Sequence, residues 1–544
     1  MELQAKAARH PLAVTCQWVP VLSTSTLLQT VLLAVVFLLN FFPDTDPDLW
    51  WHMATGRYIV ETGSVPTSDP FSYTATGKPW VAHEWLAEAI IYLIYRSGGY
   101  LPLVLLFGAM TTLAFGFTLR TLRLLGLRPV AATCVTLWVA LMSLFSWDVR
   151  PQIFSYLLFA VYLYLLLRSR QHAEPRLWLL PMLMALWVNL HGGYVMGLLL
   201  MAAFLAGEGI NRWKPPAAGA GDSGLDQAAY GEAGSSPSPH ALGTTPASRC
   251  LDPHSSVLAA QAPSLRTYLA VFAATVAATV VNPQGPAILL YPFTYAGTAN
   301  ASMRFITEWQ SPDFHYYYFF IFASSLMALM VAPARGRADW ALAIPLLLLT
   351  AMSLQSVRVI PFYGIGAAPF LGLRLAPHGG RSPATTPPTT PTPRRVRATR
   401  WNWLVLLLCL ATMGSTLFLS DRTQWGPEPR TSSYPAEGVR YIRESGLRGN
   451  LFNTFHWGGF LIWSFYPERR VFVDGRPDMY GDQFMEEYQL LQDVRPGWRE
   501  LLDKHRVEVA LVEKDGRTAT LLLASGEWRE LFRGEIESVL VRQQ

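Results

Sequence analysis

Eleven apolar runs divide the first 420 residues of the chain, and each is of a length that suits a helix crossing a lipid bilayer. Such a helix needs about 17–25 mostly apolar residues. Only 15% of the residues are charged, whereas about 25% is usual for soluble domains. These features predict a polytopic α-helical membrane protein with about eleven transmembrane helices. The runs lie near residues 26–42, 100–119, 129–147, 151–167, 177–193, 194–211, 267–282, 316–333, 339–355, 359–375 and 401–420.

Arginine and lysine indicate the orientation of the spans, because cytoplasmic loops carry an excess of both residues. With a cytoplasmic N-terminus, the inner segments carry 20 of them and the outer segments carry 6. The count depends on residues 83–96, an apolar stretch of 14 residues that contains Glu84 and Glu88. We expect this stretch to lie on the outer surface, because segments of this length are more often interfacial than spanning.

Three polar regions interrupt or follow the spans. Residues 213–265 and 376–400 are low-complexity segments, and we expect both to be disordered cytoplasmic linkers. Residues 421–544 are long enough for a separate domain, and the odd number of spans places it outside the cytoplasm. Its pattern predicts a small α/β domain, with strands at 450–455, 469–475, 507–514 and 537–543 and helices at 435–446, 483–492 and 497–506.

The first outer loop, residues 43–99, presents Asp44, Asp46 and Asp48 directly after the first apolar run. Pro47 keeps Asp46 out of the helical conformation. Asp48 is placed to cap the following helix, "LWWHMATGRYIVETG", which we expect to lie in the membrane interface. Close carboxylates raise one another's pKa. The group is therefore a candidate general base, and Asp46 and Asp48 are also candidate ligands of a divalent cation, Mg²⁺ or Mn²⁺.

Further polar residues stand at the ends of later spans, and the predicted topology places all of them on the outer side. Polar groups near hydrocarbon usually face a protein interior or a wet cavity, so the pattern predicts a cavity that opens outward. The arginines suit a phosphate group through forked hydrogen bonds. The alternatives are an arginine that reaches to the interface and a histidine with a purely structural role. The candidate substrate-binding residues are His52, His83, Glu84, Arg150, Gln152, His191, Glu308 and Arg358.

In the C-terminal domain, polar residues concentrate in "VFVDGRPDMYGD", which contains Asp474, Arg476 and Asp478. The segment "DGRPD" has the composition of a turn that closes a strand. Two interpretations remain open: ordinary loop chemistry, and a lid or acceptor-binding face over the membrane cavity.

Several phrases together resemble the GT-C superfamily of membrane glycosyltransferases. The likeness rests on acidic residues just after the first span, interfacial helices in that loop, many later spans and a C-terminal outer domain. A narrower set of bacterial multi-pass proteins, described as glycosyltransferases, is similar over most of the chain except the linkers. The phrases are "DPDLWWHMATGRYI", "VPTSDPFSYT", "PWVAHEWLAE", "RPQ", "WVNLHGGYVMG", "VNPQG", "EWQSPD" and "VFVDGRPDMYG".

This resemblance implies transfer of a sugar, with inversion, from a polyprenyl-phosphate carrier to an acceptor glycan, lipid or protein on the outer face of a bacterial inner membrane. It implies that a first-loop carboxylate activates the acceptor or binds a metal ion, and Asp46 and Asp48 match that position best, with Asp44 third. The chain lacks the Trp-Trp-Asp-Tyr-Gly signature of oligosaccharyltransferases, so asparagine glycosylation is not expected.

Two other functions stay open beside this one. A transporter or flippase for lipid-linked glycans should show an inverted repeat and polar groups near the bilayer midplane, and the sequence shows no internal repeat. A non-catalytic envelope assembly protein is equally compatible with such a scaffold. No basic cluster is interleaved with aromatic residues on a polar domain, so we expect no nucleic-acid partner.

Overall fold

The computed structural model describes residues 22–41, 46–172, 176–213, 263–296, 306–331, 339–375, 401–408, 411, 414–415 and 433–543. Asp44 lies outside the described residues, and so do residues 214–262 and 376–400, which make up nearly all of the two predicted linkers. Leu265, at the edge of the first predicted linker, already begins a helix.

The described part of the first 420 residues is mostly helical. In chain order its helices are α1 (Thr24–Leu38), α2 (Pro47–Thr62), α3 (Trp85–Gly98), α4 (Tyr100–Leu124), α5 (Pro129–Ser143), α6 (Gln152–Ser169), α7 (Leu179–Leu190), α8 (Tyr194–Arg212), α9 (Leu265–Ala278), α10 (Tyr291–Ala296), α11 (Tyr317–Val331), α12 (Trp340–Gln355) and α13 (Ile360–Leu375). The main helix pairs are α4 with α6, α2 with α3, α8 with α12 and α5 with α13.

Four helices among the described residues are long and apolar enough to cross a membrane: Tyr100–Leu124, Pro129–Ser146, Gln152–Ser169 and Tyr194–Arg212. The prediction of about eleven spans is therefore too high for this part of the chain. Several apolar runs form helices that are too short, such as α7 with 12 residues. At about 1.5 Å per residue this helix rises only about 18 Å, against a hydrocarbon core of about 30 Å. It stops because His191 adopts an extended backbone conformation.

Helix α2 begins at Pro47, and its N-cap is Asp46, whose Oδ1 accepts a hydrogen bond of 2.8 Å from the backbone N–H of Asp48. The prediction that Asp48 caps this helix is wrong, because Pro47 occupies the first helical position that proline favours. The helix is not confined to an interface: Leu49, Trp50 and further residues along it are buried between α3 and the C-terminal domain.

The C-terminal domain contains a four-stranded sheet flanked by short helices. Its strands are β1 (Asn450–Asn453), β2 (Val507–Glu513), β3 (Trp528–Arg533) and β4 (Glu537–Arg542), and its helices are α14 (Ala436–Glu444), α15 (Gly458–Phe465), α16 (Pro477–Tyr480), α17 (Asp482–Gln492), α18 (Trp498–Lys504) and α19 (Arg517–Ala524). The spatial order is β1-β2-β4-β3, with β1 parallel to β2 and the other two pairs antiparallel.

Two features of this sheet differ from the sequence prediction. Residues 469–475 add no strand to the sheet, because Val471 forms a single bridge to Ser72 of the first outer loop instead. The fourth strand is β3, an edge strand whose residues "WRELFR" are largely charged and whose burial shows no clear alternation. The predicted strands at 450–455, 507–514 and 537–543 are confirmed.

The predicted first outer loop and the C-terminal domain pack as one unit. Backbone hydrogen bonds join them at Val471, which donates to Phe71 O at 3.0 Å and accepts from Tyr73 N at 3.1 Å. The buried Arg476 bonds both Asp69 of the loop, at 2.9 Å, and Asp474 of its own turn, at 2.7 Å. The turn "DGRPD" is therefore fixed against the loop.

Candidate functional site

Five charged residues from separate parts of the chain meet in what we call the aspartate–arginine cluster: Asp46, Asp48, Arg150, Glu308 and Arg358. The Arg150 guanidinium lies between the carboxylates, with Nη1 at 3.3 Å from Asp46 Oδ2 and at 2.6 Å from Glu308 Oε1, and with Nη2 bonded to Asp48 Oδ2. Arg358 donates to Glu308 Oε2 from Nη2 at 2.9 Å and from Nε at 3.1 Å. The structure therefore brings these sequence-predicted residues into direct contact, while the outward-opening cavity around them stays a prediction.

Local structure explains why the five side chains meet. Asp46 and Asp48 occupy the cap and first turn of α2, and Arg150 lies in the short turn just before α6. Glu308 and Arg358 lie in two short 3₁₀ turns, Thr307–Trp309 and Val357–Val359. Two hydrogen bonds join these turns, from Val357 N to Gln310 O at 3.0 Å and from Ser356 Oγ to Glu308 O at 3.0 Å.

Carboxyl groups outnumber guanidinium groups in this cluster. Asp148 lies close enough to act on Arg150 and Asp46, so four carboxyl groups face the guanidinium groups of Arg150 and Arg358. Burial raises the pKa of Asp46 to about 8, against the opposing influence of Arg150. Burial likewise raises the pKa of Asp148 to about 6. A carboxyl group with a pKa near neutrality can take a proton in one step of a reaction and release it in another.

Asp46 and Asp48 fit a divalent cation poorly. Each of their carboxylate oxygens already accepts a hydrogen bond, from Arg150, from the Asp48 backbone or from Trp51 Nε1 at 3.1 Å. The guanidinium of Arg150 stands between the two carboxylates, where a bridging cation would have to lie, and like charges repel. The arrangement therefore favours a general base over a metal ligand at these positions.

A second group, the histidine–glutamate cluster, consists of His52, His83, Glu84, Glu88 and His191. Its member on α2, His52, lies one turn beyond Asp48. His52 Nδ1 is 3.2 Å from Glu88 Oε1 and 3.6 Å from Glu84 Oε2. The other oxygen of Glu84, Oε1, is 3.3 Å from His83 Nε2 and 3.5 Å from His191 Nε2. Four of its five residues were predicted from the sequence, and the structure brings them together.

The two carboxyl groups of this cluster differ in charge. Burial opposes ionisation of Glu84, but the neighbouring His83, His191 and His52 together outweigh it and hold the pKa of Glu84 below its usual range. Burial and the charge of Glu84 raise the pKa of Glu88 well above its usual range. Burial lowers the pKa of His52 to about 3 and that of His191 to about 4, so both rings are neutral at pH 7.

The predicted Gln152 does not join either cluster, because its side chain donates to Ser146 O at 3.2 Å within its own turn. Both Nη1 and Nη2 of Arg150, which the sequence predicts to bind a phosphate, are bonded to carboxylates in this conformation. Sequence reasoning missed Asp148 and Glu88 as members of the clusters. The spacing of Glu84 and Glu88, four residues apart at the start of a helix, is the signal that places both on one face.

The C-terminal domain reaches the aspartate–arginine cluster. A methyl group on Gly475, in the turn "DGRPD", would overlap Asp48 Oδ1 and lie 3.2 Å from Trp51 Nε1. A methyl group on Gly459 would lie 2.7 Å from Pro47 O. The two glycines thus allow the domain to approach the start of α2 closely, and the turn forms one wall beside the carboxylates.

Comparisons with known proteins leave the family open, because no family model matches the chain and no curated protein is significantly similar to it.

Proposed function

We propose that this protein is a membrane glycosyltransferase that moves a sugar from a polyprenyl-phosphate carrier to an acceptor glycan, lipid or protein on the outer face of the bacterial inner membrane. The observation that carries the proposal is the aspartate–arginine cluster. It combines a carboxyl group with a pKa near neutrality and two arginines beside a wall of the C-terminal domain. These are the groups that transfer from a phosphate leaving group requires.

Asp46 acts as the general base in this scheme. The acceptor O–H attacks the anomeric carbon of the donor, and its proton passes to the Asp46 carboxylate as the new C–O bond forms. A base placed in this way contributes about 10²–10⁴-fold to the rate. Asp48 and Arg150 position Asp46: Arg150 bonds both aspartates, and Asp48 is fixed by Trp51.

Arg358 receives the leaving group. The bond between the anomeric carbon and the phosphate oxygen breaks, its electron pair stays on the polyprenyl phosphate, and the guanidinium stabilises the charge that develops there. Arg358 is the more accessible of the two arginines, with 26% of its side chain exposed against 10% for Arg150. The donor phosphate then replaces the Glu308 carboxylate on Nε and Nη2 of Arg358, since both are forked acceptors.

The decisive experiment compares Asp46→Asn with the wild type. Asparagine caps a helix as well as aspartate, so α2 keeps its start while the base is lost. Membranes that contain the protein are supplied with radiolabelled polyprenyl-phosphate sugars, and transfer to any acceptor is measured. We expect Asp46→Asn to lower the rate by at least about 100-fold, the lower bound for a lost general base.

Asp339→Asn is the matched control, because Asp339 also caps a helix and pairs with an arginine, Arg170 at 2.7 Å. We expect its transfer rate to equal that of the wild type. Equal rates in Asp46→Asn and the wild type would refute Asp46 as the base. Movement of the lipid-linked sugar across the membrane without transfer would favour the transporter, and neither activity would favour the assembly protein.

A further inference from the structure

The histidine–glutamate cluster has no role in the proposed chemistry, and its donor atoms converge. Nδ1 of His52 and one oxygen each from Glu84 and Glu88 lie within 4.8 Å of one another. Ligands around a tetrahedral zinc ion, at bond lengths of about 2.0–2.2 Å, are roughly 3.4 Å apart. The distances from His52 to Glu88 and Glu84, 3.2 and 3.6 Å, lie on either side of that value.

Hydrogen bonds around His191 fix its tautomer. Its Nδ1 accepts the backbone N–H of Gly193 at 2.9 Å, so this nitrogen carries a lone pair. The ring proton is then on Nε2, which faces Glu84 Oε1 at 3.5 Å. A histidine that points its N–H at a ligating carboxylate orients that ligand and leaves the metal to others. Ser155 Oγ lies 2.7 Å from the same Nδ1 and also holds this edge of the ring.

Glu88 supplies a second, independent observation. Its side chain is 1% exposed, and its Oε2 has no hydrogen-bond partner. Among the residues that the structure describes, Glu84 and Glu88 form ion pairs with histidines alone, without lysine or arginine. A buried and a partly buried carboxyl group stand beside histidines, and one oxygen of the buried group has no hydrogen-bond partner. This is the composition of a metal site, with an oxygen available to bind the ion.

Close packing of α2 on α3 holds the three donors in place. A methyl group on Gly56 would overlap the carbonyl group of Glu88 and come within 2.7 Å of Tyr92 Cβ. The absence of a side chain at Gly56 lets the two helices approach until His52, one turn earlier on α2, reaches Glu88. His52 and Glu88 therefore lie on packed helices, and Glu84 is the N-cap residue of α3.

We propose that His52, Glu84 and Glu88 bind one divalent transition-metal ion, Zn²⁺ or Mn²⁺, with His191 orienting Glu84. A mixed set of imidazole nitrogen and carboxylate oxygen suits these ions, whereas Mg²⁺ prefers oxygen ligands alone. The site is separate from Asp46 and Asp48, whose oxygens are engaged with Arg150, Trp51 and the Asp48 backbone N–H. It does not rest on the proposed glycosyltransferase function, since metal binding is measured without any sugar donor.

The test uses the full chain, purified in detergent and stripped with a chelator. Zn²⁺ is titrated while bound metal per chain and the thermal unfolding midpoint are recorded, and a Mn²⁺-loaded sample is examined by pulsed electron paramagnetic resonance. We expect one ion per chain, a raised midpoint and a ¹⁴N coupling from a histidine. Glu88→Gln and His52→Ala should abolish tight binding, and His191→Ala should weaken it about 10–100-fold, as is usual for a group that orients a ligand.

Glu61→Gln is the matched control, since Glu61 is an exposed glutamate on the same helix α2, and it should bind metal like the wild type. Two results would overturn the proposal. One is bound metal that shows no nitrogen coupling and disappears with Asp46→Asn, which would place the ion at the aspartates. The other is no ion retained at about 100 µM free Zn²⁺, which would place the dissociation constant above that concentration and mean that protons alone satisfy the cluster.

Discussion

Arg476 joins the C-terminal domain to the first outer loop, and its replacement by methionine should loosen that junction. The guanidinium donates from Nε to Asp474 Oδ1 at 2.7 Å and from Nη2 to Asp474 Oδ2 at 2.7 Å and Asp69 Oδ1 at 2.9 Å. It also lies over the ring of Trp80, 4.5 Å from its centroid. Methionine has a similar length and fills the space, so the main loss is the positive charge between two carboxylates.

The expected magnitude follows from burial. The side chains of Arg476, Asp69 and Asp474 are 2%, 0% and 0% exposed, so water cannot replace the lost partner. Removing one member of such a buried pair costs about 3–5 kcal/mol. At about 1.4 kcal/mol for each factor of ten, the junction should open roughly 100 to 4,000 times more often.

Hydrogen exchange at the junction measures this opening directly. The amides of Tyr73 and Val471 hydrogen-bond across it, and their exchange should accelerate by the same factor in Arg476→Met. The control is Arg542→Met at the surface pair with Asp503, whose side chains are 30% and 56% exposed. Such exposed pairs are worth about 0–1 kcal/mol, so the control should change exchange less than about fivefold.

A second variant separates lost charge from lost packing. Adding Asp474→Asn to Arg476→Met removes one of the two buried carboxylates that have lost their arginine. Replacing both partners of a buried hydrogen bond lowers stability much less than removing one of them. We expect the double variant to recover part of the protection. If Arg476→Met exchanged no faster than Arg542→Met, the buried ion pair would not hold the domain, and the reasoning from burial would be refuted.

Two further predictions concern the clusters on α2. The rate of transfer at low donor concentration should rise with pH and level off above about pH 8. The reason is that Asp46, with its pKa raised to about 8, is protonated and inactive as a base at lower pH. A flat pH–rate profile would contradict this role. Gly56→Ala should lower the free energy of unfolding by about 1–3 kcal/mol through overpacking against Glu88. Gly116→Ala, where a methyl group meets no atom within 4 Å, should raise it by up to about 1 kcal/mol, and thermal denaturation in detergent compares the two.

The sequence could predict which residues share one side of the protein, since charge bias orders the loops and the polar residues follow that order. Arg150 and Glu308 were placed on the same side, and they are in contact. It could not predict how those residues pair. The carboxylates that Arg150 meets come from the start of α2 and from the Thr307–Trp309 turn, which are far apart in the chain, so no local pattern encodes their meeting.

Helix ends were the least predictable part, for a similar reason. An apolar run sets an upper limit on a helix, and its ends depend on backbone conformation at single residues. By residue type, Asp46 and Asp48 both suit the N-cap position of α2. Asp46 occupies it because Pro47 is the first residue of the helix. In α7 the apolar run is long enough to span, yet the extended backbone of His191 ends the helix after 12 residues.

Both clusters include residues of helix α2, so we expect a change at the proposed metal site to alter the rate of the proposed transfer. Asp48 belongs to the aspartate–arginine cluster and His52 to the histidine–glutamate cluster, and one turn of the same helix separates them. Gly56 packs that helix on α3, while Gly459 and Gly475 let the C-terminal domain approach its first turn. A displacement of α2 caused at any of these contacts therefore moves both clusters together. Metal loss through Glu88→Gln should on this account slow transfer as well, although Glu88 makes no contact with the aspartates in the described part of the chain.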